Sequence, residues 1–154
     1  MNAEMMTAIS ERQVGDSLWF LYNRMSHSLT RKLEAGGVSV VEWMVLRELS
    51  AVGEASPSGL ARRLGMPRGS VSRIATRLKA KSLLWFKSSM HEAHSHTLIL
   101  TTTGRRLLPK LDVLSGQNDL EFFGHLPPQD QQTFDRILKE IVTRCGSHQA
   151  TVNR

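Results

Sequence analysis

The chain has 154 residues, 40% of them hydrophobic, and a formal net charge of +6. That is the size of one domain with a real core, and the cation excess favours a polyanionic partner over an acidic-surface role. A single cysteine, Cys145, excludes an intrachain disulfide framework. No stretch approaches the ~20 apolar residues of a membrane span. The opening residues carry Glu4 and Glu11 and do not read as a secretory signal. The expected setting is the cytoplasm, with no membrane partner.

Val14, Leu18, Leu21, Tyr22, Met25 and Leu29 recur at spacings of three and four, which predicts a first amphipathic helix ending near Ala35-Gly36-Gly37. Ser39 and Glu42 then form a capping-box pattern. The second helix follows, with Val41, Val45, Leu46, Leu49 and Val52 on its inner side, and Gly53 ends it. Ser56-Pro57 is an N-cap with proline at the first helical position. A short third helix places Leu60, Ala61 and Leu64 inward and stops at Gly65. A fourth begins at once, at Pro67. Its inner stripe is Val71, Ile74, Ala75 and Leu78, and its outer face carries Arg68, Ser72, Arg73, Thr76, Arg77 and Lys79. Two short helices around a glycine turn, the second apolar on one side and Arg/Ser/Thr on the other, are a helix-turn-helix pattern.

Leu83 to Phe86 and Thr97 to Leu100 are apolar runs around the polar tip KSSMHEAHSH. They predict a β-hairpin, which directly after a recognition helix is a wing. Thr101 caps a fifth helix with Leu107, Leu108, Leu111 and Leu114 on its apolar side. Pro109 and Gly116 are expected to bend or weaken it. Leu126-Pro127-Pro128 marks a break, and a last helix carries Phe134, Ile137, Leu138, Ile141 and Val142 up to Arg144. The polar tail is expected to fray. The predicted class is mainly α with a small β-hairpin wing: a winged helix-turn-helix over 38–101, with helical dimerisation regions at 12–37 and 102–145 of one chain.

The charge is concentrated. Arg62, Arg63, Arg68, Arg73, Arg77, Lys79, Lys81 and Lys87 lie between Ala55 and His91, where there is no Asp or Glu. The bland account is a solvated basic face. The sharper one is a footprint for phosphates. Arg68 and Arg73 are the candidates for base contact, since arginine donates in bidentate fashion to guanine. Arg77 and Lys79 are assigned to phosphates. Ser70, Ser72 and Thr76 complete the helix face, with Ser56 and Arg62 adding backbone contacts. Lys87, His91, His94 and His96 would touch the flanking groove.

The order of parts resembles the MarR-type (multiple-antibiotic-resistance regulator) family. The residues that carry the resemblance are LARRLGMPRGSVSRIATRL at 60–78, LILTTTG at 98–104 and LPPQDQQTFDRIL at 126–138. It implies a transcriptional regulator, a homodimer built from the first and last helices, and a pseudo-palindromic operator. It also implies repression by blocking polymerase, and an effector pocket between the two regions. Where the family often has Asp-x-Arg at the wing tip, this chain has Glu92-Ala93-His94. Phe86 stands where an arginine is common, so the wing carries less permanent positive charge than the family pattern.

His91, Glu92, His94 and His96 at the wing tip admit three accounts. They are a metal site, a pH-sensitive phosphate contact, or a solvated loop rich in histidine. No fixed zinc spacing is matched, so no metal is assigned. A titrating wing would raise DNA affinity as pH falls from about 8 to about 6. Trp19, Tyr22, Trp43 and Met44 either line an effector pocket or belong to core and interface. Cys145 reads as an inert thiol. No G-x-S-x-G, P-loop or HExxH motif is present, so neither an enzyme nor a cofactor is expected. The rival from another class is a winged-helix protein-interaction module that never meets DNA.

Overall fold

The structure is a computed structural model and describes residues 13–88 and 96–152. The order is α1 (Val14–Ala35), α2 (Val40–Val52), β1 (Glu54–Ala55), α3 (Pro57–Leu64), α4 (Arg68–Ala80), β2 (Leu84–Ser88), β3 (His96–Leu100), α5 (Thr102–Phe123) and α6 (Pro128–Val152). The chain divides into two compact units, one through Asn118 and one from Asp119. No helix among the described residues is long and apolar enough to cross a membrane.

The core of the first unit gathers around α2. Val45, Leu46 and Leu49 are fully buried with Leu60, Val71, Leu78, Leu84 and Leu98, each burial contributing about 1.5–3 kcal/mol. The capping box forms: Ser39 Oγ accepts from Glu42 N–H at 3.3 Å, and Glu42 Oε2 accepts from Ser39 N–H at 2.8 Å. Trp43, outside the expected stripe, is also buried.

The wing pairs as expected, with Trp85 opposite Ile99 and Phe86 opposite Leu98. Sequence periodicity did not reveal a third strand. β1 pairs antiparallel with β3, giving the order β1-β3-β2. Two residues are too few to show an alternation.

Thr101 fastens α5 to the end of the helix-turn-helix. Its N–H donates to Leu83 O at 3.1 Å. Its hydroxyl donates to Ser82 O at 2.8 Å and accepts from Gly104 N–H at 2.9 Å. Gly104 is buried so close that a Cβ would collide with the Leu83 carbonyl oxygen. The TTTG motif is thus a cap plus a close approach. α5 runs unbroken through Pro109 and Gly116. Pro109 and Arg105, whose carbonyl loses its donor, are both exposed residues, so the missing bond falls where water reaches it.

α1 buries only Ser28 and Leu33. Val14, Leu18 and Tyr22 of its expected apolar side stay exposed, as does Trp19. In the second unit Phe123 and Phe134 stack at 5.2 Å, and Gln131 Nε2 donates to Leu126 O at 2.8 Å. The helix extends past Arg144 to Val152, farther than the polar tail suggested. Ile137, Leu138, Ile141 and Val142 are exposed.

Candidate nucleic-acid interface

Ser56 Oγ accepts from Gly59 N–H at 3.1 Å and starts α3. Gly65 ends it in the left-handed region, φ 62°, where a Cβ costs about 1–2 kcal/mol. Met66 N–H then closes onto Ala61 O at 2.9 Å, and α4 starts at Arg68. Val71, Ile74, Ala75 and Leu78 are buried beneath α4. That burial fixes its rotation and turns Arg68, Arg73, Thr76, Arg77 and Lys79 to solvent, with Ser70 and Ser72 half-buried. The Thr76 hydroxyl donates to Ser72 O at 3.0 Å. Its proton is spent on the helix, and it faces outward as an acceptor.

The basic window is free of acids in sequence but not in space. Arg63 pairs with Glu48. Lys87 pairs with Glu54 at 3.3 Å, and Arg77 and Lys81 meet Glu42 at 3.6 and 2.8 Å. All three acids lie just upstream of the window, brought back by the fold. The Lys79 ammonium lies 5.2 Å from the centre of the Phe86 ring. Arg62, Arg68 and Arg73 have no carboxylate partner among the described residues. The charge left unengaged is therefore narrower than the eight cations suggest, and it centres on the helix-turn-helix.

Glu42 is the charged group that sequence reasoning missed. It is 3% exposed. Burial pushes its pKa up from 4.5, but the Lys81 hydrogen bond, the Ser39 N–H and the charges of Lys81 and Arg77 outweigh that, so the net shift is downward. Its capping-box spacing was visible. Its burial depends on α4 crossing α2, which no local pattern shows.

On the wing, Lys87 and His96 are exposed. His96 meets Phe86 edge to face at 6.1 Å. His91 and His94 lie outside the described residues. Trp19, Tyr22 and Met44 are exposed, whereas Trp43 is 6% exposed and its Nε1 donates to Asp112 at 2.9 Å. Arg47 lies 5.3 Å over the Trp43 ring. None of these four candidates lines either of two open concavities. One, of about 550 Å³, contains Gly37, Ser39, Glu42, Arg77 and Lys81. The other, of about 680 Å³, is formed by Ser50, Arg105, Leu108, Pro109, Asp112 and Val113.

Helix order, sheet and basic helix define a winged helix-turn-helix protein. Residues 36–89 match the MarR family. A mutant MarR from E. coli in complex with operator DNA superposes with a TM-score of 0.72 at 19% identity, over 83% of this chain and 92% of that one. BpsR from Bordetella bronchiseptica, described as regulated in DNA binding by 6-hydroxynicotinic acid, gives 0.74 at 22% identity, over 85% and 99%. The organohalide-sensing regulator RdhR in its 2,4-dichlorophenol-bound form gives 0.73 at 18%, over 88% and 83%. At these identities the likeness establishes the fold. No curated protein matches the sequence. The fold is that of these MarR-type structures, and the family match over residues 36–89 takes in the motif at 60–78.

Proposed function

We propose that the chain is a sequence-specific double-stranded-DNA-binding transcriptional regulator. In this reading it is a repressor that acts as a homodimer on a pseudo-palindromic operator. One observation carries it: Arg68 and Arg73 project from a recognition helix whose buried side is fixed, and among the described residues no carboxylate pairs with them. A solvated structural face would be expected to spend its arginines on its own carboxylates, as Arg63 does on Glu48. Arginine also suits both guanine edges and phosphates. Ser56, Arg62, Ser70, Ser72, Thr76, Arg77 and Lys79 surround the pair, and Lys87 and His96 extend the surface along the wing.

The exposed apolar side chains of α1 and, separately, of α6 support the dimer. Such surface, left open to water in a monomer, is what a second copy covers. A two-fold dimer would set its recognition helices about 34 Å apart. Release by a small-molecule effector is carried over from ligand-bound relatives. The effector would act by favouring a dimer geometry that misplaces the two helices.

The test is binding to DNA fragments from around the chain's own gene, in a salt series with random DNA as competitor. The proposal expects one fragment bound in a competitor-resistant, steeply salt-dependent way. Binding that is uniform or absent on such fragments, together with a weak salt dependence, favours a winged helix turned to protein partners.

A further inference from the structure

Glu42 does more than a capping box requires. Capping needs only the bond from Ser39 N–H to Oε2. The same carboxylate, 3% exposed, also meets two cations from the far end of the recognition helix. Lys81 Nζ sits 2.8 Å from Oε2 and donates in addition to Gly37 O at 2.9 Å. Arg77 approaches Oε1 through Nε, at 3.6 Å. One buried anion thus joins the start of α2, the α1–α2 turn and the last turn of α4.

The way Arg77 is held matters. At that distance the contact is an ion pair and not a hydrogen bond, so the guanidinium's donors stay available. A buried anion draws the flexible side chain toward the end of α4 without fixing the plane of its fork. Arg77 is more than half exposed, and an unanchored side chain there would sample many rotamers.

We propose that Glu42 is a positioning residue for DNA binding: its buried carboxylate draws Arg77 toward the end of α4, where its donors can meet a phosphate, while Lys81 ties the same helix end to the α1–α2 turn. This rests on the DNA-binding reading above. It makes a prediction opposite in sign to simple electrostatics. Neutralising an anion beneath a phosphate-binding surface should, on charge alone, tighten DNA binding. Loss of positioning should weaken it.

The experiment uses the full chain and a duplex that the wild type selects from a randomised pool. Glu42→Gln keeps shape and an acceptor for Ser39 N–H but removes the charge. It is expected to bind that duplex about tenfold more weakly, within the range for loss of one good arginine contact. In an Arg77→Ala background the same change should cost less than about twofold, because the group it positions is gone. Unchanged or tighter binding by Glu42→Gln overturns the proposal. So does an equal loss with and without Arg77. If the wild type selects no duplex at all, the DNA-binding reading fails and this proposal falls with it.

Discussion

The Lys79 ammonium lies 5.2 Å from the centre of the Phe86 ring, linking the last turn of the recognition helix to the first strand of the wing. Phe86 stands where the MarR-type pattern that the sequence resembles would place an arginine. A second cation there would repel Lys79, whereas the ring's face attracts it, with a strength of about 0.5–1 kcal/mol at an exposed site.

A double-mutant cycle measures that link. Phe86→Leu and Lys79→Met should each destabilise the fold. The pair should cost less than the sum by about 0.5–1 kcal/mol, read from urea midpoints. Additive effects would mean that the ring and the ammonium are neighbours without coupling.

Two glycines of α5 should respond to alanine in opposite directions. At Gly104 a Cβ meets the Leu83 carbonyl. That is backbone, which cannot swing away, so Gly104→Ala should destabilise by about 1–3 kcal/mol. Around Gly116 there is open space, and helix propensity alone predicts that Gly116→Ala stabilises by up to about 1 kcal/mol. Thermal or urea denaturation of the two variants decides it. A stable Gly104→Ala protein would show that the α5 cap can shift without cost.

Much of this architecture was legible because it is local. Ser39 with Glu42, Ser56 with Pro57, and Gly65 each announce a helix end through chemistry within four residues, and each behaves as its pattern implies. The inner stripe of α4 was legible for the same reason. What escaped depends on residues far apart in the chain. β1 exists only because Glu54 and Ala55 lie beside Ile99 and Leu98. Glu42, Glu48 and Glu54 each turn a nominally free cation into half of an ion pair across 15 to 39 positions. Trp43 reads in sequence as either pocket lining or core; its burial and its bond to Asp112, 69 positions away, are visible only in the fold.

The division of the basic window into free and engaged cations gives a contrast in DNA binding. Arg73→Ala should weaken binding to the chain's own site by about 1–3 kcal/mol and relax discrimination at one position. Arg63→Ala removes a group already paired with Glu48 and should change specific binding much less. Competition assays with single-base variants of the site separate the two. Equal losses on specific and random DNA for Arg73→Ala would reassign it from base to phosphate.

Glu42 also gives the stability curve an acid limb with a definite sign. Burial alone would raise its pKa. Lys81, Ser39 N–H and Arg77 prevail and lower it below 4.5. The folded state therefore binds its proton less readily than the unfolded chain. Its contribution is fully present above the unfolded value, near 4.5, and is lost as pH falls through the lower folded value. Other carboxylates titrate in the same range, so the informative quantity is the difference between wild type and Glu42→Gln. That difference should be constant from about pH 7 down to about pH 5 and should shrink steadily toward about pH 3. Urea midpoints at each pH measure it. A difference that stays the same down to pH 3 would mean that the Glu42 charge adds nothing to the fold and that the side chain acts there only through its shape and its bond to Ser39.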